Sequence, residues 1–267
     1  MPDKFGILFI GDLIGRPGRR ALARFLPELK KKYQPDLIIA NAENAAGGSG
    51  LTEEIGKELF FQVDVLTSGN HIWDKKEALS YLDKENRLLR PANYPPGNPG
   101  HGHYIFQSEK GIKAAVLNLQ GRVFMEPIEC PFRQADQELE KILQITPIVV
   151  IDFHAEATSE KQALGWYLAG RVSAVIGTHT HTPTADERIL PGGTAFLTDV
   201  GMAGGLNSII GMKPEQALQR FLLSRPQRFE PATDGLVLSA VFISIDSASG
   251  KALSIKRETL IEEKSEE

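Results

Sequence analysis

The 267-residue sequence holds a single cysteine, Cys130, which excludes an internal disulfide framework and any thiolate zinc site. It also lacks an excess of positive charge: 30 Lys and Arg stand against 34 Asp and Glu, for a formal net charge of −4. A protein that grips long nucleic acid carries a basic footprint, and this balance contains none. No apolar run approaches the ~18 residues of a membrane helix, so no membrane partner is expected. The short apolar stretch at 5–11 gives way at once to Asp12, without the small-residue cleavage site of a secretory leader. These absences lead to the expectation of a soluble protein of a reducing, cytoplasmic compartment. What is present is 42% hydrophobic and 24% charged residues, enough to bury a sizeable core and too apolar for dominant disorder.

Short apolar runs at 5–10, 37–40, 63–66, 114–119, 148–151 and 172–176 alternate with amphipathic segments. That alternation predicts βαβ units around a mainly parallel core. A helix is predicted over 19–33, where Leu22, Phe25, Leu26 and Leu29 recur at helical spacing. Another starts from a Thr52 cap followed by Glu53 and Glu54, and more are predicted over 75–82, 132–143, 159–168 and 214–223. The segments 194–197, 236–245 and 252–259 read as strands. The expectation is one domain over 1–261, with two sheets packed face to face and helices outside, and a charged tail at 262–267. The Pro- and Gly-dense loop 91–102 reads as a rigid surface connection, and is the candidate interface should the chain form a homo-oligomer.

Five of the apolar runs end in potential ligands. They lead into Asp12, into Glu43 and Asn44, into Asn70 and His71, into His154, and into His179 and His181. Strand carboxyl ends in open α/β sheets line one rim, where ligands bind. Carboxylate, amide and imidazole together suit manganese, iron or zinc. In an extended segment residues i and i+2 face the same side, so His179 and His181 are expected to share a cavity. Two such imidazoles can serve two ions roughly 3.5–4 Å apart, the spacing of two-metal phosphoester hydrolysis, with one carboxylate bridging.

Other signals carry blander readings. His101 and His103 form another His-x-His, but Pro99-Gly100 precedes them instead of an apolar strand, so both are expected in a loop. Gly47-Gly48-Ser49-Gly50 lacks the lysine of a P-loop and reads as a turn that lets backbone pass near the site. Arg16, Arg19, Arg20 and Arg24 read as a solvated helix face. Asp199 is either a partner of a ligand histidine or a turn residue. Cys130 receives no role.

The strand-end residues carry a resemblance. Gly-Asn-His at 69–71 and Gly-Thr-His-Thr-His at 177–181, with Asp12 and His154, resemble calcineurin-like metallophosphoesterases. Two departures from that superfamily form a pattern of their own. Asp12 is followed by Leu13-Ile14, not by the usual Asp-x-His, and Asn41-Ala42-Glu43-Asn44 stands where Gly-Asp-x-x-Asp is usual. With Arg-Pro-Ala-Asn-Tyr-Pro at 90–95 and Thr-Asp-Val-Gly-Met at 198–202, the sequence resembles the YmdB-like bacterial phosphodiesterases from about 5 to 259.

The resemblance implies a four-layer α/β/β/α sandwich of the calcineurin-like type. It implies Asp12, Asn44 and His181 on one divalent metal, Asn70, His154 and His179 on the other, Glu43 bridging, and His71 as general acid. It further implies iron or manganese, with zinc sharing the same ligands, and a small phosphodiester substrate such as a 2′,3′-cyclic or 3′,5′-cyclic nucleotide, attacked by a metal-bridging hydroxide. Two alternatives stay open at the level of sequence: a phosphomonoesterase with the same metals, and a slow-turnover nucleotide-binding regulatory protein.

Overall fold

Phe5, Ile7 and Phe9 face one way along the first strand, β1 (Lys4–Ile10), and Leu8 and Ile10 face the other, and both sets are buried. A strand without polar alternation demands cover on both faces, and that demand organises the molecule. The computed structural model describes residues 4–262. After β1 come β2 (Asp12–Leu13), α1 (Gly15–Tyr33), β3 (Leu37–Asn41), α2 (Glu53–Phe60), β4 (Val65–Thr67), a 3₁₀ turn (Asn70–Asp74) and α3 (Lys76–Leu82). The second half runs β5 (His103–Gln107), β6 (Lys113–Gln120), α4 (Pro131–Ile142), β7 (Val149–His154), α5 (Thr158–Tyr167), β8 (Ala174–Thr178), β9 (Arg188–Leu190), β10 (Thr194–Leu197), β11 (Met202–Gly204), α6 (Pro214–Leu223), β12 (Leu236–Asp246) and β13 (Ala252–Glu262).

One sheet has the order β2-β11-β12-β1-β3-β4, with β13 added on β12; the other is β5-β6-β7-β8-β10-β9. Between them lie Phe5, Ile7, Phe9 and Ile39 of the first sheet and Val116, Val150 and Ile176 of the second. On the outer face of the first sheet, Leu8, Ile10 and Leu66 pack with Leu22, Phe25 and Leu26 of α1, Leu59 of α2 and Leu82 of α3. On the outer face of the second, Leu117, Ile151 and Phe153 pack with Leu139 of α4 and Leu164 of α5. The result is the expected four-layer α/β/β/α sandwich.

The parallel core is narrower than expected. β1, β3 and β4 run parallel, as do β6, β7, β8 and β10, but β12 pairs antiparallel with β1 inside the first sheet, and β13, β5 and β9 add further antiparallel pairings. His103 begins the edge strand β5 instead of lying in a loop; its Nδ1 sits 2.6 Å from Glu138, a pairing no local pattern announces. Helix α1 starts a turn before the predicted position, because Pro17 falls in the first turn, where its missing N–H costs nothing. Thr52 caps α2 as expected, its Oγ1 accepting from the Ile55 N–H at 3.3 Å. The 91–102 loop is tied down: buried Asn93 donates to the carbonyls of Gln120 and Glu129 at 2.8 and 2.9 Å. The tail at 262–267 lies, apart from Glu262, outside the described residues. No described helix is long and apolar enough to cross a membrane.

Candidate metal centre

Parallel pairing aligns the strand ends. Asn41 ends β3 opposite Thr67 at the end of β4, and His154 ends β7 opposite Thr178 at the end of β8. Both sheets therefore deliver their carboxyl ends to one rim, which brings together all seven proposed ligands and His71. Asp12, Glu43 and His154 are fully buried, and Asn44 nearly so. Two motif glycines are set by this crowding: a Cβ on Gly69 would fall 2.1 Å from the His154 ring, and one on Gly11 would fall 2.0 Å from the Gly201 carbonyl.

His154 Nε2 is the point of convergence. Glu43 Oε1 lies 3.1 Å from it, Asn70 Oδ1 3.2 Å and His179 Nδ1 2.9 Å. A single N–H cannot serve three such partners, whereas a cation among them can. Asn44 Nδ2 donates to Glu43 Oε1 at 3.1 Å and lies 3.3 Å from His181 Nε2, which is 3.7 Å from Asp12 Oδ1. That Asp12 oxygen is buried and has no hydrogen-bond partner. An orphaned buried carboxylate oxygen is costly unless something positive binds it. Ligand atoms of Glu43, His154 and His179 all lie within 4.8 Å of one another. The hard oxygen and imidazole donors fit one or more divalent ions.

The ring nitrogens facing away from the cluster are anchored. His154 Nδ1 is 2.9 Å from Thr178 Oγ1, which donates to Asp152 Oδ1 at 2.7 Å; Asn41 Nδ2 donates to Asp152 Oδ2 at 3.1 Å. His181 Nδ1 donates to the Ile210 carbonyl at 2.9 Å, and His179 Nε2 meets Glu156 at 3.0 Å. Such partners fix the tautomer and aim the other nitrogen at the site. Asn41, Asp152, Thr178, Glu156 and Ile210 escaped the sequence reading. Only a polar residue inside an apolar strand, such as Asp152, could have signalled one of them.

His179 and His181 converge, but not through strand alternation. β8 stops at Thr178, and both histidines adopt left-handed backbone, with φ of +100° and +63°. Backbone strain of this kind is held by its surroundings. Here the His179 N–H donates to Asp12 Oδ2 at 3.2 Å and the Thr180 N–H to Asp199 Oδ2 at 3.1 Å. Asp199 partners no histidine; its carboxylate is locked 2.6 Å from Lys161 Nζ, both side chains 1% exposed.

Electrostatics follow from burial. Burial pushes the Asp12 carboxyl up, and pushes Asp152 up to about 7. Burial pulls His179 down to about 3, helped by the nearby charge of His154. For Glu43 and His154 burial opposes both charges, yet their mutual attraction wins, holding Glu43 below and His154 above its ordinary range.

His71 lies beside the cluster. Its N–H donates to Glu43 Oε2 at 2.9 Å, and its Nδ1 sits 2.8 Å from Asp74 Oδ2, which also accepts from Ser49 Oγ. The expected glycine turn brings Ser49 there, with Gly47, Gly48 and Gly50 all at positive φ. Glu43, Asn44, His71, His179 and His181 line one wall of a cavity of about 830 Å³.

Comparison with known proteins identifies the family. The sequence profile of the YmdB-like protein family matches residues 8–258. The 2′,3′-cyclic-nucleotide 2′-phosphodiesterase of Bacillus subtilis is 51% identical over 252 residues, covering 94% of this chain and 95% of the relative. A crystal structure from Mycoplasma pneumoniae, described as a novel phosphatase, superposes with a TM-score of 0.92 at 36% identity, covering 98% of this chain and 95% of that one. The calcineurin-like phosphoesterase YfkN of Bacillus subtilis shares the fold alone, with a TM-score of 0.58 at 12% identity over 98% of this chain and 91% of that one. The chain belongs to the YmdB-like protein family.

Proposed function

We propose that the chain is a metal-dependent phosphodiesterase whose substrates are 2′,3′-cyclic nucleotides. The convergence of buried Asp12, Glu43 and His154 with Asn44, Asn70, His179 and His181, around an Asp12 oxygen that accepts no hydrogen bond and beside the cavity that Glu43, Asn44, His179 and His181 line, carries the reading. The activity of the 51% identical Bacillus subtilis relative supports the substrate class. Asp12, Asn44 and His181 would hold one divalent ion and Asn70, His154 and His179 a second, with Glu43 shared; manganese or iron suits this donor set. Bound there, the ions supply acidity to water and neutralise charge on phosphate oxygens.

The remaining work belongs to the chain's own side chains. Asp74 holds Nδ1 of His71, leaving Nε2 free to hand a proton to the departing ribose oxygen. Glu43 fixes the backbone beneath that imidazole through the His71 N–H. The buried cluster floor keeps bulk water from competing for the same donors.

The test is manganese-supplemented hydrolysis of bis(p-nitrophenyl) phosphate against p-nitrophenyl phosphate, with His71→Ala alongside. Diester cleavage should clearly exceed monoester cleavage; the variant should lose little on this diester, whose p-nitrophenolate leaves without a proton, and fall steeply on a 2′,3′-cyclic nucleotide. A monoester preference would replace this reading with a phosphomonoesterase. Absence of turnover by metal-loaded protein would leave a binding protein.

A further inference from the structure

The cavity continues well past the metal-ligand wall. Its other lining includes Ile209, Ile210, Met212, Arg220, Phe221 and Phe229, supplied by α6 and the segments either side of it. A phosphodiester group alone needs little of about 830 Å³, whereas that volume suits a drug-sized ligand. Phe221 is 76% exposed and Phe229 42% exposed, and neither ring stacks on another aromatic among the described residues. Exposed phenyl rings grouped beside a reaction centre form an apolar surface of the kind that marks a ligand-binding groove, and a ring face stacks well against a flat group. Gly47 lines the same cavity, and a Cβ there would meet nothing within 4 Å, so its wall stays open to a planar group. Arg220, also on this wall, has no ion-pair partner among the described residues and offers the cavity a cation.

We infer that this wall is a nucleobase subsite: the base of the substrate stacks on Phe221 and Phe229 while its phosphodiester lies at the ligand wall. The inference rests on the phosphodiesterase reading and extends it, since it assigns substrate choice to residues outside the metal cluster. Stacking on a phenyl face is tolerant of base identity, so purines and pyrimidines are both accepted, with the larger purines favoured.

The experiment compares adenosine 2′,3′-cyclic phosphate with ribose 2′,3′-cyclic phosphate, which lacks the base, and adds free adenosine as competitor. The variants are Phe221→Leu/Phe229→Leu, which keeps apolar bulk but removes both π faces, and Phe221→Tyr/Phe229→Tyr, which restores them. Wild type should favour the base-bearing diester in kcat/KM by about tenfold or more, the worth of one stacked ring. Adenosine should inhibit competitively. The Leu pair should lose most of that preference and the adenosine inhibition, and the Tyr pair should retain both. Equal handling of the two diesters by wild type, or an undiminished preference in the Leu pair, overturns the subsite. If the Leu pair instead keeps the preference but loses self-association in sedimentation velocity, the rings cover a second copy and the proposal falls. Should wild type cleave neither diester, the phosphodiesterase reading fails. Equilibrium dialysis of adenosine against wild type and the Leu pair then decides the subsite by itself.

Discussion

Asp74 Oδ2 lies 2.8 Å from Nδ1 of His71, three residues earlier in the chain and on the same 3₁₀ turn. The carboxylate fixes which imidazole nitrogen faces Asp74, and so which one is left for the leaving group. His71→Ala should lower kcat on a cyclic nucleotide by about 10²-fold or more, the usual worth of a general acid. Asp74→Asn should lower kcat more than it changes KM. Both losses should shrink on bis(p-nitrophenyl) phosphate, whose p-nitrophenolate departs without a proton. Equal losses on both substrates would point to collapse of the turn instead of a missing proton donor.

Asp12 has one unpaired, buried oxygen, and burial disfavours its charge. Because its folded-state acidity is weakened, the ionised carboxylate destabilises the metal-free fold at neutral pH. Asp12→Asn should therefore give a metal-free protein whose Tm equals or exceeds that of wild type. The same variant should bind less manganese per chain, measured by elemental analysis after gel filtration, and lose activity. A lowered Tm with full metal content would refute the assignment.

Without metal, the Glu43–His154 attraction holds the imidazole charged at neutral pH, and a ligand imidazole must be neutral. Metal binding should then release a proton. Affinity should weaken as pH falls, by up to about tenfold per pH unit while His154 is protonated in the metal-free state. Calorimetric titration with manganese in two buffers of different ionisation enthalpy measures the release directly; identical heats would show that no proton leaves.

Lys161 and Asp199 form a fully buried ion pair that holds the His179–His181 loop through the Thr180 N–H. Lys161→Met strands the carboxylate and should cost about 3–5 kcal/mol in urea unfolding. Adding Asp199→Leu should recover much of that stability but not the activity, because the loop loses the acceptor for Thr180. Recovery of both would show that the pair serves packing alone.

Much of this fold was legible in the chain because its signals are local. Buried strands read as unbroken apolar runs, and α6 and β10 fall where 214–223 and 194–197 were predicted, bracketed by turn residues and proline. The ligand candidates were legible for a related reason: polar residues placed just after buried strands have few structural uses. What the sequence could not carry was any relation between distant segments. Asp152 and Thr178 are 26 residues apart, and only the β7–β8 register makes them partners behind His154. The same limit hid Lys161 behind Asp199, Glu156 beside His179, and the strand at His103. It also misassigned the cause by which His179 and His181 meet. By itself the sequence determined which residues could bind and where most strands run, since both depend on residue type and neighbours. Tertiary structure alone decided which nitrogen of each histidine faces inward, how strongly burial shifts each charge, and that α6 sets two exposed phenyl rings beside the site. Those properties depend on distances between residues far apart in the chain, which packing of the two sheets fixes and local pattern does not.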